Sequence, residues 1–203
     1  MSGGGGGRAI AYLIESGTKK GDILMVNSTP IVLRALSGRI PYSYRDLTPV
    51  ASMVADYGAF VVRNDSPFKT WEDVIKSIKE DPSSIKVAGG SARGSMDHLV
   101  AVTSGKPLPD YPEIPTLKSL GYDMEFVNWR GLFAAPNLPA EKLAQYTKKL
   151  RELQSTPEWE AVRARNGWLN LFQEKDEFIK SLEAQEAQLK VVMEELGFIR
   201  AAR

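Results

Sequence analysis

Residues 85–98 read Ile85-Lys86-Val87-Ala88-Gly89-Gly90-Ser91-Ala92-Arg93-Gly94-Ser95-Met96-Asp97-His98, followed by Leu99-Val100-Ala101-Val102. Ile85 to Ala88 is short and apolar, as a buried strand is. Two glycines and small polar residues follow, and the chain turns apolar again at Leu99. Strand, small-residue loop and helix in that order make one unit of an α/β fold.

The same alternation recurs upstream. Arg8 to Glu15 (RAIAYLIE) reads as a helix ended by Ser16-Gly17, and Asp22 to Val26 (DILMV) as a buried strand. Asn27-Ser28-Thr29-Pro30 comes next, with Pro30 in the first-turn position of a helix over 31–36. Segments 50–54 and 59–62 are strand candidates split by the turn-prone Asp56-Tyr57-Gly58. Thr70 starts a helix with Asp73 three residues on, and Trp71, Val74, Ile75 and Ile78 keep helical spacing. The Pro-rich stretch 106–115 (KPLPDYPEIP) is an extended surface connection.

Downstream, helices dominate. Segment 139–153 carries an apolar stripe, Thr156-Pro157 caps a shorter helix, and 168–172 is a strand candidate. The longest helix spans 176–196, with Phe178, Leu182, Leu189, Met193 and Leu196 on one stripe and Gly197 closing it. Strands alternating with helices predict an α/β fold with a mostly parallel sheet.

Composition narrows the function classes. Hydrophobic residues at 43% and charged residues at 25% belong to a globular chain, which excludes wholesale disorder. Twenty-six basic against twenty-five acidic residues leave +1, with no electrostatic footprint for nucleic acid. Zero cysteines exclude a disulfide scaffold, a thiol nucleophile and a sulfur-ligated zinc. The one histidine, His98, removes histidine-rich metal centres and weakens any triad. No apolar run approaches the roughly 20 residues of a membrane-spanning helix. Met1 to Gly7 lacks the basic and apolar regions of a secretory signal.

Four segments are candidates for chemistry. Gly3 to Gly7 is not a Walker loop, because Arg8-Ala9 stand where lysine and a hydroxyl are needed. It reads as a flexible leader or as a glycine turn opening the helix at Arg8. In the loop Ser91, Ala92, Arg93, Gly94 and Ser95, helix-start amides, hydroxyls and one cation make an anion site. The same spacing is met if Ser95 is only an N-cap and Gly94 only a turn. His98 has no nucleophile fixed beside it and reads better as a structural histidine. Asn128-Trp129-Arg130-Gly131 lies between apolar runs, so Asn128 and Arg130 fall at the carboxyl end of a strand, where open α/β sheets bind ligands. A core tryptophan beside a surface arginine fits that segment equally well. Asn27, Ser28 and Thr29 form a loop of the same kind. Three donor-rich loops point to capture of a small oxyanion.

These loops, in this order, resemble the solute-binding receptors of the tripartite tricarboxylate transporter system, the Bug receptors. The likeness runs through GGGGGRAIA, GDILMVNSTP (21–30), YRDLTP (44–49), VRNDSPFKTWEDV (62–74) and GGSARGSMDHL. It continues through PEIPTLKSLGY (112–122), NWRGLFAAPNLP (128–139) and TPEWEAVRARNGW (156–168). The resemblance implies a type II periplasmic-binding-protein-like lobe and capture of a di- or tricarboxylate for a membrane permease. It implies a periplasmic monomer with no catalysis, cofactor or metal. By position, Ser91, Gly94 and Ser95 would face the carboxylate from one side and Asn27, Ser28 and Thr29 from the other, with Asn128 and Arg130 near the crossover.

Two departures from the family shape the domain expectation. The family begins with a strand and a glycine-containing loop that also holds the carboxylate, and here only Met1-Ser2 stand before Gly3. Family members also carry several elements after the helix at His98, where this chain runs almost directly into the Pro-rich loop. Residues 1–62 are therefore expected to form a first-lobe segment, 63–105 the remnant of a truncated second lobe, and 106–203 the return to the first lobe. The alternative is a truncated or engineered single α/β domain without ligand binding, and a hydrolase built on His98 is a distant third.

Overall fold

In the segment Thr48–Asp56 (TPVASMVAD), seven consecutive residues, 49–55, are buried, so the strand has no solvent face. Such a strand reads as a continuous apolar run because helices cover both of its sides. The computed structural model describes residues 6–20, 22–58, 60, 62, 65–85, 103–106, 115–123 and 125–199. The chain divides into unit 1, Met1–Asp56 with Val127–Arg203, and unit 2, Tyr57–Phe126.

Unit 1 contains α1 (Gly7–Lys20), β1 (Leu24–Ser28), α2 (Pro30–Leu36) and β2 (Thr48–Asp56). The chain returns as β3 (Asn128–Ala134), α4 (Ala140–Gln154), α5 (Pro157–Arg165), β4 (Leu169–Glu174) and α6 (Lys175–Glu195). Helix α3 (Trp71–Glu80) belongs to unit 2. The four strands of unit 1 form one sheet in the order β1-β3-β2-β4.

Every pairing in that sheet is antiparallel, which corrects the mostly parallel sheet expected from the sequence. The reason is specific. Both β1 and β2 run antiparallel to β3, so they share a direction, as a strand–helix–strand reading requires. Strand β3, which arrives only after all of unit 2, is slotted between them. Local alternation reports the direction of sequential strands and cannot report a late strand inserted into the middle.

Helix α6 packs across this sheet. Phe178, Leu182, Leu189 and Met193 are at most 4% exposed, as the stripe predicts, whereas Leu196, expected on the same stripe, lies just past the helix end and is 54% exposed. Phe178 meets Trp129 edge to face at 5.1 Å and Phe133 at 5.4 Å. The helix ends in a pair of reverse bonds, Phe198 N–H to Met193 carbonyl and Gly197 N–H to Glu194 carbonyl, which satisfy its last carbonyls. Helix α1 runs on past the expected stop at Ser16-Gly17, because Gly17 is buried against Ala135.

Between α2 and β2, Ser43 and Asp46 form a reciprocal capping box around a short turn that buries Tyr44. The Tyr44 hydroxyl donates to Glu186 at 3.2 Å, and Arg45 bonds the same carboxylate. Burial, and then the negative charge of Glu186, push the Tyr44 phenol up to about 12. A phenol whose folded value lies above its unfolded value of about 10 adds stability below pH 10 and loses it as pH climbs toward 12. Urea midpoints should therefore fall more steeply between pH 10 and 12 in the parent than in Tyr44→Phe. Parallel curves would refute this account.

In unit 2, Thr70 caps α3 by accepting from the Asp73 N–H, and Asp73 accepts from the Thr70 N–H, the expected box. Thr103 is tied to Phe126 twice, by its carbonyl accepting from the Phe126 N–H and by its hydroxyl donating to the Phe126 carbonyl, each at 2.8 Å. Phe60 and Val62, expected in a strand, have no regular structure. Residues 86–102, which include the loop Ser91 to Ser95, His98 and most of the strand expected at 85–88, lie outside the described residues. So do Gly3, Gly4 and Gly5. Among the described residues no helix is long and apolar enough to cross a membrane.

Candidate functional site

Register brings the first-unit candidates together at one end of the sheet. Ser28, the last residue of β1, stands directly opposite Arg130, and Asn27 stands opposite Gly131. On the other side of β3, Asp56, the last residue of β2, stands opposite Asn128. The Asn128-Trp129-Arg130-Gly131 segment is thus the start of β3, not the carboxyl end of a strand as expected. Alternation explains it: Trp129 and Gly131 turn to the α6 core, while Asn128 and Arg130 turn to the opposite face. Because β3 is antiparallel to both neighbours, its start lies where β1 and β2 end.

Ser28, Asn128 and Arg130 therefore share one face with Asp56, a residue the sequence reading had assigned to a turn. The Arg130 guanidinium bonds Asp56 Oδ2 at 2.8 Å, and its other nitrogen reaches the Asn128 and Trp129 carbonyls at 3.2 and 3.3 Å. The Asn128 amide nitrogen donates to Asp56 Oδ1 at 2.5 Å. Arg130 and Asp56 are about one-third exposed, so the pair is solvent-screened and net neutral. Arg130 is not a free cation waiting for an anion. Its charge is matched and its plane is fixed.

Asn27 falls on the other face of β1, beside the start of α1. Its Oδ1 accepts from the Ser28 N–H at 2.8 Å, while its Nδ2 has a methionine sulfur at 3.9 Å. A Cβ built on Gly6 would stand 3.8 Å from that Nδ2. Gly6 has a φ of +90°, a conformation that a side chain strains. Gly6 and Gly7 thus stand at the opening of the helix, and α1 carries no acidic residue in its first turn to occupy its N–H groups. Thr29 differs from both neighbours. It is fully buried, and its hydroxyl goes to the Val127 carbonyl at 3.4 Å.

Behind this end of the sheet, Gln185 of α6 clamps the incoming chain. Its Nε2 donates to the Val127 carbonyl at 2.7 Å and its Oε1 accepts from the Trp129 indole at 2.8 Å. The sequence offered a signal for Gln185: it sits seven residues after Phe178 and four before Leu189, a polar residue inside the apolar stripe.

A family model for the tripartite tricarboxylate transporter family receptor matches residues 2–103, half of the chain. The chain belongs to that family. Solved structures share the receptor's fold. The periplasmic binding protein BugD is 16% identical, with 97% of this chain and 85% of that one covered at a TM-score of 0.79. A Rhodopseudomonas palustris protein solved with adipate is equally similar on every one of these measures. MatC from the same organism, with bound malate, is 16% identical, covering 83% and 76% at a TM-score of 0.68. At these identities the likeness is one of fold. No curated protein matches the receptor's sequence.

Proposed function

We propose that this receptor captures a small carboxylate at the open end of the unit 1 sheet and delivers it to a membrane permease from the periplasm. The observation that supports the reading is that one sheet end carries Ser28, Asn128 and Arg130 on one face and Asn27 beside the first turn of α1 on the other. Open α/β sheets bind ligands at such ends, and helix-start amides favour anions. Adipate and malate in two structural relatives support the same ligand class. The loop Ser91, Ala92, Arg93, Gly94 and Ser95 belongs to this proposal as a further set of donors, on the family resemblance alone. Type II architecture with a reduced second lobe over 63–105 is part of the same reading.

Since Arg130 is already paired with Asp56, direct contacts to the carboxylate fall to Ser28, to Asn27 and to backbone amides, and Arg130 positions the strand start. Titration calorimetry with malate, adipate and citrate tests this. Saturable binding of at least one is expected, and Ser28→Ala should weaken it by about tenfold or more, the worth of one hydrogen bond to a charged group. A panel that produces no binding heat would leave the chain a family domain without ligand capture.

A further inference from the structure

Asp56 puts a negative charge at the sheet end where the proposed function places a carboxylate. It ends β2 opposite Asn128 and shares a face with Ser28, Asn128 and Arg130. Its carboxylate accepts from the Arg130 guanidinium at 2.8 Å and from the Asn128 amide at 2.5 Å, and it remains about one-third exposed. Among the described residues no third charged side chain bonds either member of this pair. Without Asp56 the charge of Arg130 would be unmatched, and the sheet end would draw anions the more strongly the higher their charge. With Asp56 in place that pull is cancelled.

We propose that Asp56 is a specificity-determining residue that sets the charge of the captured ligand, holding the site to acids with one carboxylate and a neutral remainder. The inference rests on the proposed carboxylate capture and adds the ligand class to it. The single carboxylate is taken by neutral donors, the Ser28 hydroxyl and backbone amides. Strands β1 and β2 flank β3, so Ser28 and Asp56 stand two strand spacings, roughly 10 Å, or more apart. A six-carbon acid held at Ser28 therefore brings its far end over Arg130 and toward Asp56. A second carboxylate there meets Asp56 with Arg130 already matched, and nothing offsets the loss of its hydration. A neutral end meets no such barrier.

Hexanoate and adipate, six-carbon acids with one and two carboxylates, are the probes, titrated by calorimetry into the full chain. The parent should bind hexanoate at least as tightly as adipate. Asp56→Asn keeps an acceptor for the Asn128 amide and frees the charge of Arg130. It should tighten both acids, adipate about fivefold more than hexanoate, and the gain should fade as salt is raised. Combining Asp56→Asn with Arg130→Gln restores neutrality and should return the ratio to that of the parent, which a merely structural role for Asp56 would not do. Should the variants fail to fold, the parent's own preference still decides. A parent that prefers adipate, or that takes malate or citrate but not hexanoate, overturns the assignment and leaves carboxylate capture intact. So does a ratio that Asp56→Asn leaves unchanged. Silence with all four acids would remove the capture reading itself, and this assignment with it.

Discussion

Gly131→Val is expected to leave the protein unfolded or nearly so. A Cβ at this position would stand 2.4 Å from Phe178 Cζ and 3.2 Å from the Ala51 carbonyl oxygen. Neither neighbour gives way cheaply. Phe178 is 1% exposed and wedged between Trp129 and Phe133, and Ala51 is backbone of the central strand. Overpacking a tight core costs about 1–3 kcal/mol per intruding group, and valine brings three carbons where there was room for none. The penalty is therefore several kcal/mol, a large part of a total stability of about 5–15 kcal/mol. Gly131→Ala is the graded version, with a loss of about 2–3 kcal/mol by urea unfolding. Phe178→Leu should recover part of it by clearing the ring. An alanine variant as stable as the parent would mean that α6 does not lie on β3 as described.

Gln185→Leu carries the second largest expected effect. The glutamine is 9% exposed and serves two groups at once, the Val127 carbonyl and the Trp129 indole. Leucine fills similar volume but leaves the Trp129 indole without a partner and the Val127 carbonyl with only the Thr29 hydroxyl at 3.4 Å. A stranded buried group costs about 1–3 kcal/mol and a group left with one long bond costs less, so the variant should lose about 2–4 kcal/mol. Gln185→Glu separates the two contributions, since it keeps an acceptor for the indole and offers no donor to Val127. The loss should also reach the site, because Val127 and Trp129 flank Asn128. Carboxylate affinity at a temperature where the variant is still folded is the informative measurement, and unchanged affinity would confine Gln185 to stability.

What could be read from the residues follows from the range of the forces involved. Helix α6, the box at Thr70 and Asp73, and the start of α2 at Pro30 all rest on contacts within four residues or on a regular apolar stripe. Strand β1 was legible too, although it lies two residues later than its apolar run. Asp56 was not. Between Val54 and Tyr57-Gly58 it looks like any turn residue, and only the arrival of β3 beside it gives its carboxylate Asn128 and Arg130 to bind. The placement of Asn128 and Arg130 at a sheet end was reached for the wrong strand direction. Thr29 shows the opposite failure: a hydroxyl in a promising loop proves to be an internal tie to Val127.

The pairing of Asp56 with Asn128 has a kinetic side. A segment as long as 57–127 is bracketed by two residues that are neighbours in the finished sheet, so joining β2 to β3 closes a long loop. Loop-closure entropy grows only with the logarithm of length, and closing this one costs roughly 2–3 kcal/mol more than a tight hairpin turn. That cost falls before β2 and β3 gain anything from each other, and it places β2–β3 pairing late among folding events. A version in which a short turn replaces 57–127 would turn the pair into a hairpin. Its sheet should nucleate faster than the parent's while keeping the same strand order.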